Sequence, residues 1–382
     1  MKQGWKISDF ENCLEKVVYT NKIQKKDFKE CGNYPIISQE QDFINGYWDN
    51  KNDLFKTTKP VVIFGDHTQV KKYVDFDFVL GADGVKIFQT KNHIVPKYFY
   101  YFLQNAEIGN LGYARHYRLL KEIPVSYPKS LSEQQQIVSI LDQCFSAIDQ
   151  AKANAEQNLK NAKELFESYL QGVFENGKWE TKMLGDVVDK IMTGPFGSML
   201  HQSDYVEKGI PVVNPQNIVA GQIIPLQKTM INKETFNRLK KYALKLDDIV
   251  IARRGEMGRC AVVRNENVDW LCGTGNFVIR VNPKKMNSDF LNVNLSSKSV
   301  KQKLEKSSIG ATMSNLNQTI LSDLSISIPP LKEQKTIIRQ LDTLQAETQK
   351  LEIAYKKRIA GLEELRKNIL QRAFAGELTE NL

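Results

Sequence analysis

The sequence predicts an α+β protein: two mixed α/β segments separated and joined by two long, antiparallel coiled-coil helices, the whole forming an internal pseudo-two-fold repeat. Three observations predict it. The phrase LSEQQQIVSILD from Leu131 returns as LKEQKTIIRQLD from Leu331, 200 residues later, with six of twelve positions identical. The same gapless offset still matches Leu165, Leu170, Gln171 and Phe174 to Leu365, Leu370, Gln371 and Phe374, so two copies of one long helix are expected. Outside these stretches, short β-branched runs such as PVVIF, DIVIA and NFVIR alternate with Gly, Asn and Pro turns and a few helical stretches.

In chain order, residues 1–131 form a first globular segment, 132–176 a first spacer helix, 177–331 a second globular segment, and 332–382 a second spacer helix with a short tail. The globular segments echo one another. GKWETKMLGDV at Gly177 follows QGWKISDFENC at Gln3, with Trp179 matching Trp5 at an offset of 174, so the second segment is longer by 26 residues. DDIVIARRGEMG is likewise echoed by KPVVIFGDHTQ, and LCGTGNFVIR by VLGADGVKIF. The first segment has no clear counterpart of GPFGS…VVNPQNI; its nearest echo is CGNYPIISQEQDFINGY.

Each helix carries a seam of apolar or small residues with steps of three and four. The first seam includes Ile137, Leu141, Ile148, Leu159 and Tyr169; the second includes Ile337, Leu341, Leu351, Ile359 and Ile369. Both contain one extra four-residue step at matching places, Leu159 and Ile359. Such a step locally unwinds a supercoil, so partners must share it in register, and the two helices are expected to pack on each other. Ser132 with Gln135 reads as a capping box, and Gly177 and Gly376 as terminators. At 1.5 Å per residue each helix would be roughly 64 Å long, the length of a spacer.

The net charge is +9, with +4 on residues 1–131 and +6 on 175–331. Two basic globular segments suit a polyanion partner as well as plain solubility. No apolar run is long enough to span a bilayer, and the N-terminus lacks the apolar core of a signal peptide, so a soluble cytoplasmic protein is expected. The five cysteines are scattered without a CxxC pair, which supports neither a disulfide framework nor a zinc site.

Enzymatic motifs are not found. There is no GxxxxGK[ST]. VVNPQNI resembles an amino-methyltransferase Asn-Pro-Pro-aromatic motif only superficially, because Gln216 and Asn217 stand where the second proline and the stacking aromatic belong. The GTG and GPFGS clusters read as turns. DNA-contact candidates cluster instead in two glycine-bearing turns: IARRGEMGR with Arg253, Arg254 and Arg259, and the corresponding GDHTQVKK with His67, Gln69, Lys71 and Lys72. Arginine grips guanine edges or phosphates bidentately, and matched turns with different side chains are what two readers of different sequences would show, as would drift in an unimportant loop. Arg115, His116 and Arg118, with His201 and Gln202, complete the candidates; for the histidines an ordinary surface role is the bland alternative.

With these features together, the chain resembles the specificity subunit of type I restriction-modification systems over nearly its whole length. The two LxEQ helices, GPFGSMLHQSDYVEKGIPVVNPQNI, LKLDDIVIARRGEMGRCAVV and ILQRAFAGELT stand in the family's order. The resemblance implies two target-recognition domains, each reading half of a split duplex-DNA target, and a helix pair that fixes the gap. It also implies two methyltransferase subunits docked on the scaffold, with S-adenosylmethionine on them and no cofactor in this chain, and restriction-motor subunits that can join. No catalytic residue and no metal are expected here. Two other readings remain at this point: a coiled-coil scaffold that binds proteins without reading DNA, and a chain that is itself a methyltransferase or nuclease. Steep salt dependence of DNA binding separates the first; adenosylmethionine or metal binding by the isolated chain separates the second.

Overall fold

The computed structural model describes residues 3–82, 84–112, 114–196, 198–256, 258–308 and 316–379. The chain packs as two compact units, Met1–Asn158 with Tyr355–Leu382, and Leu159–Ala354. The boundaries fall inside the long helices, so packing divides the chain differently from its four sequence segments: each globular part shares a unit with stretches of both helices.

In the first unit, strand Val61–Gly65 lies between Lys71–Val74 and Val85–Phe88, antiparallel to both. A second sheet sets Tyr34–Ile37 parallel to Phe78–Gly81, with Ile36 opposite Val79 and Ile37 opposite Leu80. Helix Pro96–Asn105 covers the first sheet through Tyr98, Phe99 and Phe102, all buried. In the second unit, Ile249–Ala252 lies between Cys260–Val262 and Asn276–Val281, again antiparallel to both. Strand Ile210–Val213 runs parallel to Leu271–Cys272. YPII at 34–37 is therefore the structural counterpart of IPVV at 210–213, and the CGNYPII echo marks an equivalent strand. The additional length of the second unit goes mainly into the hairpin Ile218–Val219 and Gln222–Ile223, helix Lys233–Arg238 and helix Lys298–Ser308.

The repeated LxEQ phrase has a structural cause. In each unit the first and last strands pair antiparallel, Trp5–Ser8 with Val125–Pro128 and Glu180–Met183 with Ser325–Ile328. The helix that follows is then locked to the domain by its Glu and Gln. Glu133 accepts from the Trp5 indole at 3.2 Å, and Glu333 from the Trp179 indole at 3.0 Å. Gln134 is fully buried; its amide donates to the carbonyls of His93 (2.9 Å) and Pro128 (2.8 Å) and accepts from Val95 N–H (2.8 Å). Gln334, also fully buried, donates to Lys285 (3.3 Å) and Pro329 (2.9 Å) and accepts from Asn287 N–H (2.8 Å). Val95 and Asn287 are the N-cap residues of the covering helices, so one amide ties the end of a strand, the start of a long helix and the start of another helix. A buried amide needs all its partners, and glutamine alone has the reach and both functions.

The long helices span Leu131–Asn176 and Leu331–Ala375. Capping differs from the sequence expectation: Ser130 rather than Ser132 caps the first, its hydroxyl accepting from Glu133 N–H at 3.3 Å, because the helix already begins at Leu131. Gly376, at φ +84°, ends the second. The buried stripe also differs from the expected seam. Leu351 is 42% exposed and Tyr169 37% exposed. The stripe passes instead through residues 137, 141, 144, 148, 152, 155, 159, 162, 166, 170 and 173, each buried or half-buried, and through the same eleven positions plus 200. That stripe covers 36 residues in ten turns, the 3.6 of an unstrained helix rather than the 3.5 of sustained heptads. Ile137, Leu141, Ile148, Leu159, Ile337, Leu341 and Ile359 lie on it; Ile369, half-buried, lies beside Leu370. Positions 152, 352 and 366 are charged. Their stems are covered while their heads pair outward, as Lys152 does with Glu363 (2.6 Å) and Arg366 with Asp149 (2.7 Å). Those two pairs lie in the first unit, where the partner numbers fall as the first helix rises, so the two stretches run antiparallel there.

Among the described residues no helix is long and apolar enough to cross a membrane, and no group of three His, Cys, Asp or Glu could hold a metal ion.

Candidate nucleic-acid interface

In both units the central strand of the antiparallel sheet ends at the same three-way backbone junction. In the first, Asp66 N–H donates to Gly84 (2.6 Å), and the Asp66 carbonyl accepts from His116 N–H (2.8 Å). In the second, Arg253 N–H donates to Gly275 (2.9 Å), and the Arg253 carbonyl accepts from Leu316 N–H (3.0 Å). The backbone frame is shared, and the side chains on it are not. Asp66 is buried, its carboxylate accepting from Tyr117 N–H at 2.7 Å. Arg253 lays its guanidinium 5.0 Å over the Phe277 ring while its Nε donates to Leu316. Burial, then the neighbouring Arg254 charge, lowers the Arg253 pKa from its ordinary value.

The loops that leave these junctions carry the sequence-predicted residues. In the first unit the turn is tight: a Cβ on Gly65 would sit 2.2 Å from Thr68 Oγ1, and Gln69 adopts φ +57°. His67 and Gln69 are half-exposed there, and Arg115 and Arg118 are exposed on the segment that His116 ties to the turn. His116 itself is not a surface residue. It is 1% exposed, Nδ1 lies 3.0 Å from the Asp66 carbonyl, and Nε2 accepts from Leu111 N–H at 3.0 Å. These partners assign the neutral tautomer with the proton on Nδ1, and the ring becomes a brace between two loops.

Lys72 is corrected in the same way. It is 3% exposed, and its ammonium is surrounded by the carbonyls of Asp42 and Phe43 and by Asn45 Oδ1. Its strand neighbour Lys71 is half-buried and makes no hydrogen bond or ion pair with any described residue. Burial pushes both down to about 8; for Lys72 the Asp42 and Glu40 carboxylates oppose the shift. Neither amine lies on an open face.

In the second unit the three arginines divide their work. Arg253 is stacked. Arg259 pairs with Glu256 (3.1 Å), which Lys301 also holds (3.0 Å); the Lys301 and then the Arg259 hydrogen bonds keep the Glu256 carboxyl below the usual range. Arg254 is exposed and makes no hydrogen bond or ion pair among the described residues, on a loop turned by Gly255 at φ +84°. It is the one arginine of the three whose fork is open to a base edge or phosphate. His201 and Gln202 are exposed on a separate turn, tied by Asp204 to Arg238 at 3.0 Å, and no hydrogen bond or ion pair among the described residues connects that turn to the arginine loop. The glycine-flanked NPQN stretch is structural: Asn217 is fully buried, accepting from Asn214 N–H at 2.9 Å and donating to Ile224 at 2.9 Å. Burial holds the Cys13 and Cys260 thiols up at about 11, far from nucleophilic thiolates.

Helix Lys298–Ser308, part of the helical stretch SDFLNVNLSSKSVKQKLEK in the sequence but not among its contact candidates, sits beside the arginine loop through the Lys301–Glu256 pair. Four lysines within nine residues, 298–306, were its signal.

A chain from the type I R-M system, in work on its complex assembly and conformational transition, superposes with a TM-score of 0.69 at 15% identity, covering 98% of this chain and 99% of that one. The HsdS subunit from Thermoanaerobacter tengcongensis superposes at 0.62 and 16% identity, covering 99% and 98%. These likenesses concern the fold. In sequence, the chain is 30% identical over 211 residues to the Type I restriction enzyme EcoR124I/EcoR124II specificity subunit of Escherichia coli, which is 51% of each chain. The chain thus spans about half the length of the curated relatives it matches, 51% and 57% of the first two. A family model, described as the type I restriction modification DNA specificity domain, matches residues 3–161 and 176–360. With a match in each half and over most of its length, the protein belongs to the type I restriction modification DNA specificity domain family.

Proposed function

We propose that the chain is the DNA-specificity subunit of a type I restriction-modification complex and has no catalytic role of its own. Each unit reads one half of a bipartite duplex target, and the long helices set the distance between halves. The observation that carries this reading is the shared junction at Asp66 and Arg253: one backbone frame, built twice, that presents His67, Gln69, Arg115 and Arg118 in one unit and Arg254 in the other. Base readout needs side chains on a rigid frame, and specificity differs when only the side chains differ.

Two methyltransferase subunits dock on the helices in this reading, carrying S-adenosylmethionine, and restriction-motor subunits join the same cytoplasmic complex. Apolar side chains left in water support a docking role. In the second unit Leu165 (49% exposed) and Tyr169 line a groove of about 440 Å³ with Leu344, Arg339 and Gln340. A monomer that keeps such residues at a groove is suited to a protein partner.

The test is genome-wide mapping of methylated adenines in cells with and without the chain, with a type I methyltransferase subunit supplied. A split motif that vanishes with the chain is the expected result. Replacing residues 179–330 by another recognition domain is expected to change one half of that motif only, and adding whole heptads to both helices to lengthen its gap. If removing the chain leaves methylation unchanged although the methyltransferase subunit binds the chain when both are present, the protein is a scaffold rather than a reader.

A further inference from the structure

We propose that helix Lys298–Ser308 is a phosphate clamp, making the grip of the second unit on DNA more electrostatic than that of the first; this rests on the DNA reading above. The helix carries four lysines and one glutamate, a net +3 of the +6 on residues 175–331. Its packing decides which lysines are available. Val300 and Leu304 are buried in the core of the second unit, Lys301 is spent on Glu256, and Lys303 donates to the Ser325 carbonyl at 3.1 Å.

Lys298, Gln302 and Lys306 remain, all exposed, and they stand at i, i+4 and i+8, one ridge opposite the Val300–Leu304 face. Neither Lys298 nor Lys306 makes a hydrogen bond or ion pair with any described residue. Eight residues of helix carry them about 12 Å apart, and a duplex strand presents a charge about every 3.4 Å along its axis, so both ammoniums can meet phosphates of one strand.

Location adds a second reason. The helix abuts the loop that carries Arg254: Lys301 reaches Glu256 in that loop, and a Cβ on Gly258 would sit 2.8 Å from Lys301 Cγ and 2.9 Å from the Leu295 carbonyl. Backbone contacts beside a base-reading side chain are what set its register on DNA. In the corresponding stretch of the first unit, the described residues between 106 and 115 form no helix. Between helix Pro96–Asn105 and His116 its chain holds one arginine and no lysine.

The test uses the full chain, a duplex with the motif found by methylation mapping and a scrambled duplex, with affinity measured across a series of KCl concentrations. The Lys298→Gln/Lys306→Gln double variant is expected to reduce the slope of log K against log salt by roughly one to two and to weaken both duplexes alike, with an unchanged base preference and melting curve. A Lys160→Gln/Lys163→Gln variant, changing the same charge on the first long helix, is expected to leave the slope near wild type. An unchanged slope in the first variant, with wild type still preferring its motif, would make the helix a solvated surface. An altered base preference would make it a reader instead of a clamp. If wild type shows no preference between the duplexes, the specificity reading itself fails and the clamp with it.

Discussion

The two units build one buried frame alike and dress its exposed loops differently. Gln134 and Gln334 each make three matching kinds of bond, Glu133 and Glu333 each hold a matching indole, Trp5 and Trp179, and Asp66 and Arg253 occupy matching junctions. Beyond that frame the second unit adds a hairpin, two helices and an ion pair that have no counterpart among the described residues of the first. Buried frame positions are fixed by the cost of an unpaired polar group, whereas loop side chains facing water meet no such penalty and can diverge.

The largest expected effect breaks the comparison. Asp248 is 2% exposed and is held bidentately by Arg280, at 2.9 and 2.7 Å, with no equivalent pair among the described residues of the first unit. Arg280→Ala leaves that carboxylate buried with no cationic partner, held only by the Lys245 N–H at 2.9 Å, and should destabilise the second unit by about 3–5 kcal/mol. Hydrogen exchange is expected to show faster opening of strands 249–252 and 276–281 with protection of 61–65 unchanged; loss in both units together would show that they do not open separately.

Next come the two clips. Gln134→Ala and Gln334→Ala should each cost about 2–3 kcal/mol, because each strands two carbonyls and an N–H in the interior. Exchange at strands 5–8 and 125–128 reports the first, and at 180–183 and 325–328 the second. Equal losses confirm a shared device, and a difference beyond about 1 kcal/mol would mean that the two clips carry unequal load.

A smaller effect sharpens the match further. Trp5→Phe and Trp179→Phe keep an aromatic ring and remove the bond to Glu133 or Glu333; each should lower stability by about 1 kcal/mol, read from urea midpoints. Smallest is Lys71→Met. The Lys71 pKa near 8 lies below its unfolded value, so the folded state gives up the proton first and stability rises as pH climbs from 8 towards 10.5. Replacing the amine should therefore stabilise the first unit at pH 7 by about 1 kcal/mol, a fraction of the full linkage energy because the amine keeps some water, and the gain should shrink by pH 10. A gain independent of pH would show that burial does not set the titration.

Much of this was legible before any coordinates. The offset of 200 places the two helices, and the strand echoes place the matched sheets. The buried stripe was read less well. Looking for apolar residues selected Leu351, but Glu352 and Arg366 hold inward positions. Arg366 lies 4.1 Å over Phe145, and a charged side chain with a long stem can lie over a ring and still reach water, which a pattern of apolar letters does not register. The candidate interface was mis-sorted for a similar reason. Lys72 and His116 have the composition of surface contacts and are interior braces, whereas Lys298 and Lys306 were read only as part of a helix.

By itself the sequence determined the repeat, the family and the absence of catalytic motifs, because these follow from identity and spacing along the chain. Only the tertiary structure decided which cations are available to a partner. A lysine or arginine looks the same in sequence whether its charge is met by a carbonyl, a carboxylate or water, and that is settled by residues far away in the chain, as Asp42 settles it for Lys72 and Glu256 for Lys301.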